Sequence, residues 1–141
     1  MHRLTLLLVI AMYGCASHNF TVTLFRSGGL TGIKESYSVN SRGMGMKVIE
    51  MPGDTESRCW RLQVDRKIVS EMQALLRDSL ESIAAIELHA TGELTTGILV
   101  DNGTVHHEMT WPNIDAPVLG TSIVDSLHHL MLRAESQMNT P

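Results

Sequence analysis

Two short alternating runs, set close together, constrain this chain more than any other feature in it. Phe20, Val22 and Leu24 take every second place in F-T-V-T-L-F, with Thr21 and Thr23 between them. After R-S-G-G-L-T-G the period resumes: Ile33, Tyr37 and Val39 share one parity, and Glu35 is the single polar interruption. Side chains two apart lie on one face of a strand, so each run reads as a strand with one apolar face. Gly28, Gly29 and Gly32 place three glycines within five residues of the connection. Glycine alone tolerates the backbone angles of so tight a corner, and the whole predicts a β-hairpin. Leu30 sits inside that corner. Either it folds back onto the core or it stands in solvent with something to meet.

Further along, R-G-M-G-M-K-V-I-E-M reads as a third strand, P-G-D-T-E-S as a turn, and C-W-R-L-Q-V as a short strand. Asp65 then stands where a helix N-cap belongs, ahead of Ile68, Met72, Leu75, Leu76, Leu80 and Ile83. Apolar positions spaced by threes and fours predict an amphipathic helix over about 66–84. A-I-E-L-H-A-T reads as a strand. L-T-T-G-I-L-V and T-V-H-H-E-M-T-W flank Asp101, Asn102 and Gly103, and Asn-Gly between apolar runs is a strong hairpin signal. Pro112 ends that strand, since it brings no N–H to a ladder. A second amphipathic helix is expected from about Ala116 to Ser136, with Pro117 in its first turn and Val118, Leu119, Ile123, Leu127, Leu130 and Met131 along its stripe; a frayed tail, 137–141, follows. Antiparallel strands with helices inserted at two places predict an α+β fold, a single antiparallel sheet of about five or six strands with both helices on one face.

The 141 residues suit one domain, here 20–136, and its core needs no covalent staples. A formal charge of −4, with no cluster of Lys and Arg, argues against nucleic acid. Of the seven histidines, His106 and His107 point to opposite faces of a strand, and His128 and His129 diverge on a helix. Neither pair has zinc-ligand spacing, and the chain has no H-E-x-x-H, H-x-H or Cys pair. Ser27 lacks the strand-turn-helix setting of a nucleophile elbow. The corner leads into a strand and not a helix, so it is no phosphate cradle. No catalytic residue, metal or cofactor is expected.

The N-terminus carries Arg3, an apolar stretch from Leu4 to Met12, and then Gly14-Cys15-Ala16-Ser17. A positive residue, about nine apolar ones and small residues make an export signal, too short to span a bilayer as a permanent helix. Gly-Cys-Ala-Ser is similar to the bacterial lipoprotein signal. Residues 1–14 are then the signal, Cys15 the lipidated new N-terminus, and 15–19 a short tether to a membrane. The alternative is plain secretion with cleavage near Ala16 or Ser17. Two cysteines in an oxidising compartment would by themselves suggest a Cys15–Cys59 disulfide; with lipid on Cys15, Cys59 is left unpaired and half-buried.

T-L-F-R-S-G-G-L-T-G-I resembles the opening of the emfourin family. So does the later order: a helix introduced by an acidic residue, a D-N-G hairpin, then W-P-N-I-D-A-P-V before a closing helix. Emfourins are small protein inhibitors of thermolysin-type zinc metalloproteases, and the resemblance covers most of residues 20–134. It implies an inhibitor that lays a loop made of Arg26, Ser27, Gly28, Gly29, Leu30, Thr31 and Gly32 into a protease cleft. Leu30 would be the apolar anchor, and Arg26 and Thr31 would touch the rim. Asp101, Asn102 and Gly103 form the second candidate loop. The alternative is an envelope lipoprotein that acts as a non-inhibitory interaction or assembly module.

Overall fold

The computed structural model describes residues 19–90, 92, 94–112 and 122–140. Along the chain these form β1 (Thr21–Gly28), β2 (Lys34–Asn40), β3 (Met44–Glu50), β4 (Arg58–Gln63), α1 (Arg66–Ala84), β5 (Leu94–Asp101), β6 (His106–Pro112) and α2 (Ser122–Asn139). The six strands make one sheet in the order β4-β3-β2-β1-β5-β6, every neighbour antiparallel. The fold is α+β, as the alternation and the two helical stripes require. The expected export signal with Cys15, and the expected first turns of the second helix at Pro117, Val118 and Leu119, lie outside the described residues.

Alternation becomes a core because one parity of every central strand faces the helices. Phe20, Val22 and Leu24 before and on β1, Tyr37 and Val39 on β2, Ile98 and Val100 on β5, and Met109 on β6 are all buried. Ile68, Val69, Met72, Leu76 and Ile83 of α1 close over them, with Val124, Leu127, Met131 and Ala134 of α2. Asp65 caps α1 by accepting the Lys67 N–H at 2.8 Å, a contact worth about 1 kcal/mol. α2 crosses the strands. Its His128 stacks edge-on against Trp111 of β6, with ring centroids 5.2 Å apart. Seven residues on, Glu135 reaches β1, and Asn139 reaches Lys47 of β3. At 1.5 Å rise per residue, those eleven residues cover about 16 Å, close to four strand spacings.

Three local expectations differ from the structure. Residues 86–90 do not form a strand. They run beside β6 and give it one backbone bond, Thr110 N–H to the Leu88 carbonyl at 2.9 Å. Side chains supply the other ties: Thr110 Oγ1 accepts the Ala90 N–H, and a ring nitrogen of His107 meets the Ile86 carbonyl. The frayed tail is a helix end, since α2 runs to Asn139. Each of its last residues has an anchor: Gln137 accepts the Asp65 N–H, Met138 is buried against Gly45, and Asn139 accepts from Lys47 Nζ at 2.7 Å. Cys59, finally, is exposed and free on β4.

Residues 41–64 prove to be a second hairpin. The turn at 41–43 is fastened by Asn40 Oδ1, which accepts from the Arg42 and Met44 N–H groups at 3.0 Å each. β3 lies under the end of α2, and β4 extends the sheet beyond the helix layer. Trp60, on the helix-side parity of β4, is therefore 46 % exposed.

Candidate functional site

The corner is a four-residue turn, Gly29 to Gly32, closed by the Gly32 N–H donating to the Gly29 carbonyl at 3.2 Å. Gly28, Gly29 and Gly32 all take positive φ, at 102°, 77° and 62°. L-residues other than glycine are strained there by about 1–2 kcal/mol. Leu30 and Thr31 occupy the two central positions. Leu30 is 104 % exposed, with no part of the core beneath it. The folded-back placement is thus excluded, and a leucine in water is left at the tip of the β1–β2 hairpin.

Two neighbours buttress the tip. A Cβ on Gly32 would lie 2.9 Å from Pro52 Cγ in the β3–β4 loop, and one on Gly29 would lie 3.4 Å from Leu94 Cδ1 at the start of β5. Next to these contacts stand two more exposed apolar side chains, Met51 and Leu94, each at 37 %. One end of the sheet therefore carries Leu30, Met51 and Leu94 together. Beside them a shallow dish of about 300 Å³ is lined by Gly32, Lys34, Glu50, Pro52 and Asp54.

Arg26 does not point outward to a rim. Its parity places it on the helix side, where Nη1 and Nη2 donate to Glu135 Oε1 and Oε2 at 2.8 and 2.9 Å. A bidentate fork of this kind fixes orientation as well as position. Hydrogen bonding to Glu135 raises the Arg26 pKa further above its already high value, against the opposing effect of burial. Arg26 is two residues before Gly28, so the pair fastens the base of the corner to α2. Ser27, of opposite parity, faces the side of the sheet without helices, and Thr31 is exposed beside Leu30.

The second candidate loop lies at the far end of β5. Leu94 pairs with Gly28 at the corner, and Asp101 pairs with Thr21 seven residues away, which is roughly 23 Å along an extended strand. Its turn is self-fastened: Asp101 Oδ1 accepts the Gly103 N–H, and Asn102 Oδ1 accepts the Thr104 and Val105 N–H groups. The Gly103 hydrogen bond, followed by one from His106, holds the Asp101 pKa below its ordinary value. The two candidate loops cannot share one contact face.

His106 and His107 do diverge, one to Asp101 and the other to Ile86. Among the described residues no three His, Cys, Asp or Glu side chains converge as metal ligands would, and no helix is long and apolar enough to cross a membrane. A second surface is the free edge of β4. There Lys47 Nζ lies 5.5 Å from the Tyr37 ring centroid and 5.8 Å from that of Trp60. Sequence patterning missed Met51, Leu94 and Glu135, because their roles arise from register and helix crossing. No family model matches this chain, and no curated protein matches it.

Proposed function

We propose that this protein is an exported inhibitor of a thermolysin-type zinc metalloprotease, occluding the active-site cleft with the corner Arg26–Gly32. The observation that carries the reading is the full exposure of Leu30 on a turn braced from three sides, by Pro52, Leu94 and the Arg26–Glu135 pair. An inhibitor gains by presenting its anchor already ordered, since ordering costs are then met by the scaffold and not by binding. Seating Leu30 in an apolar pocket contributes about 1.5–3 kcal/mol from burial, and the flanking glycines bring backbone close to the enzyme without a Cβ in the way. The emfourin-like string R-S-G-G-L-T-G-I supplies the enzyme class. In this reading Arg26 positions the loop from beneath, and Thr31 is the rim contact.

The test is a titration of several thermolysin-like proteases with the purified protein, repeated with a small active-site-directed inhibitor present. Cleft occlusion predicts inhibition at or below micromolar protein and mutual exclusion with the small inhibitor. No inhibition of any of them would end the reading. We further propose anchoring to a bacterial membrane by lipid at Cys15; Cys15→Ala should move the protein from the membrane to the soluble fraction. Wild-type protein already soluble would mean ordinary secretion instead.

One observation favours the second reading, an interaction module without inhibition. β4 is an unpaired edge bearing an exposed Trp60 between Arg58 and Arg61, and tryptophan is prominent among residues that dominate interfaces. Failure of every titration together with loss of a partner on Trp60→Ala would support that module.

A further inference from the structure

Among the described residues, four buried side-chain polar atoms have no partner: Arg26 Nε, Thr96 Oγ1, Trp111 Nε1 and His128 Nε2. They are not scattered. Arg26 pairs with Thr96, and Thr96 with Trp111, so three of them stand in one row across β1, β5 and β6 on the helix side. His128 packs on Trp111 at one end of that row, and Glu135, seven residues further along α2, holds Arg26 at the other. Unpartnered buried polar groups are expensive and rare; three in one row, with a fourth packed at its end, mark a place where charge and protons matter.

We propose that His128 acts as a proton-operated release for the Arg26–Glu135 pair, so that acidification loosens the base of the Leu30 corner. The consequence for binding rests on the inhibitor reading; the loosening itself does not.

The groups facing His128 decide the direction. From β1 comes the Arg26 guanidinium, and beyond it Glu35 and Tyr37 of β2, which act on Arg26. Thr96 of β5 and Trp111 of β6 line the row. From α2 itself come Asp125, His129 and Glu135. On the α1 side, Glu71 is taken by Arg133 at 2.7 Å; on β6, His107 is taken by the Ile86 carbonyl. Burial first, and then the positive charge of Arg26, hold His128 below the ordinary imidazole range, against the pull of Asp125 and Glu135. At neutral pH the ring is uncharged and Glu135 belongs to Arg26. A protonated ring repels Arg26 and offers Glu135 a second cation on its own helix face. Proton uptake therefore sets a second positive charge against Arg26, whose Nε already lacks a partner, and loosens the tie between the end of β1 and α2.

Nuclear magnetic resonance of the purified protein tests this without a protease. Between pH 7.5 and 5, the imidazole signal of His128, the Nε–H signal of Arg26 and the amide protection of residues 25–33 should change together, with one midpoint below about 6.5. His128→Phe, which keeps an aromatic ring against Trp111, should hold the corner unchanged over that range. Glu135→Gln should show a loosened corner at every pH. A corner whose protection is constant while His128 titrates would overturn the proposal, as would the same transition persisting in His128→Phe. The wild-type titration alone decides the matter if either variant misfolds. In protease assays, inhibition by wild type should weaken at least tenfold from pH 7.5 to 5.5, against less than twofold for His128→Phe. Absence of inhibition at any pH refutes the inhibitor reading and leaves the spectroscopic transition standing.

Discussion

At the scale of single residues, Leu30 and Glu135 do different jobs at the same corner. Leu30 makes no contact within its own fold, so its removal should be free of structural cost and felt by a partner alone. Leu30→Gly is expected to leave the melting temperature within a degree or two of wild type. Glu135→Gln removes the charge from the fork that holds Arg26, and hydrogen bonds to charged groups contribute about 1.5–3 kcal/mol. Its melting temperature should fall by several degrees, and a value unchanged from wild type would show that Arg26 is held by something else. Gly32→Ala faces two obstacles at once, a φ of +62° and Pro52 Cγ at 2.9 Å. It should cost about 1–2 kcal/mol, read as a lower urea midpoint. An equal midpoint would mean that the turn had rebuilt itself in another form.

At the scale of elements, the legible parts were those in which period and burial coincide. The alternation in F-T-V-T-L-F and I-K-E-S-Y-S-V places Val22, Leu24, Tyr37 and Val39 on the buried face, as read. The threes and fours of α1 give its buried side chains in the same way. A-I-E-L-H-A-T has a strand's composition, yet its described part, 86–90, gives β6 one backbone bond, and side chains of Thr110 and His107 satisfy its other polar groups. The last turn of α2 was invisible for a related reason. Nothing in S-Q-M-N says helix until Asp65, Gly45 and Lys47 supply partners from distant elements. At the site, the glycines and Leu30 could be read locally, but the inward turn of Arg26 depended on the helix that crosses above it. Truncation after Glu135 tests the α2 account: it removes Gln137, Met138 and Asn139 and should cost at least 2 kcal/mol, chiefly by uncovering Gly45 and leaving Met138's place empty. A loss under about 0.5 kcal/mol would return those residues to the status of a tail.

At the scale of the whole molecule, the sheet has two unlike ends and one layer of helices that stops short of β4. The corner end gathers Leu30, Met51 and Leu94; the opposite end carries the self-fastened Asp101–Asn102–Gly103 turn, whose three residues should be replaceable without effect on protease binding. Stability as a function of pH follows from His128. Its folded pKa is depressed below the unfolded value of about 6.5, so the unfolded chain binds the proton more readily. Its contribution is then fully present above about pH 6.5 and is lost as pH falls from there through the folded pKa. Urea midpoints should be level from pH 8 to 7 and decline below 6.5, and His128→Phe should flatten the first part of that decline. The inhibitor account itself turns on one comparison: the inhibition constants of wild type and Leu30→Gly against a thermolysin-like protease at pH 7.5. The account predicts inhibition by wild type at or below micromolar concentration and at least a tenfold loss, about 1.4 kcal/mol, in the variant. Equal constants for the two proteins would contradict it.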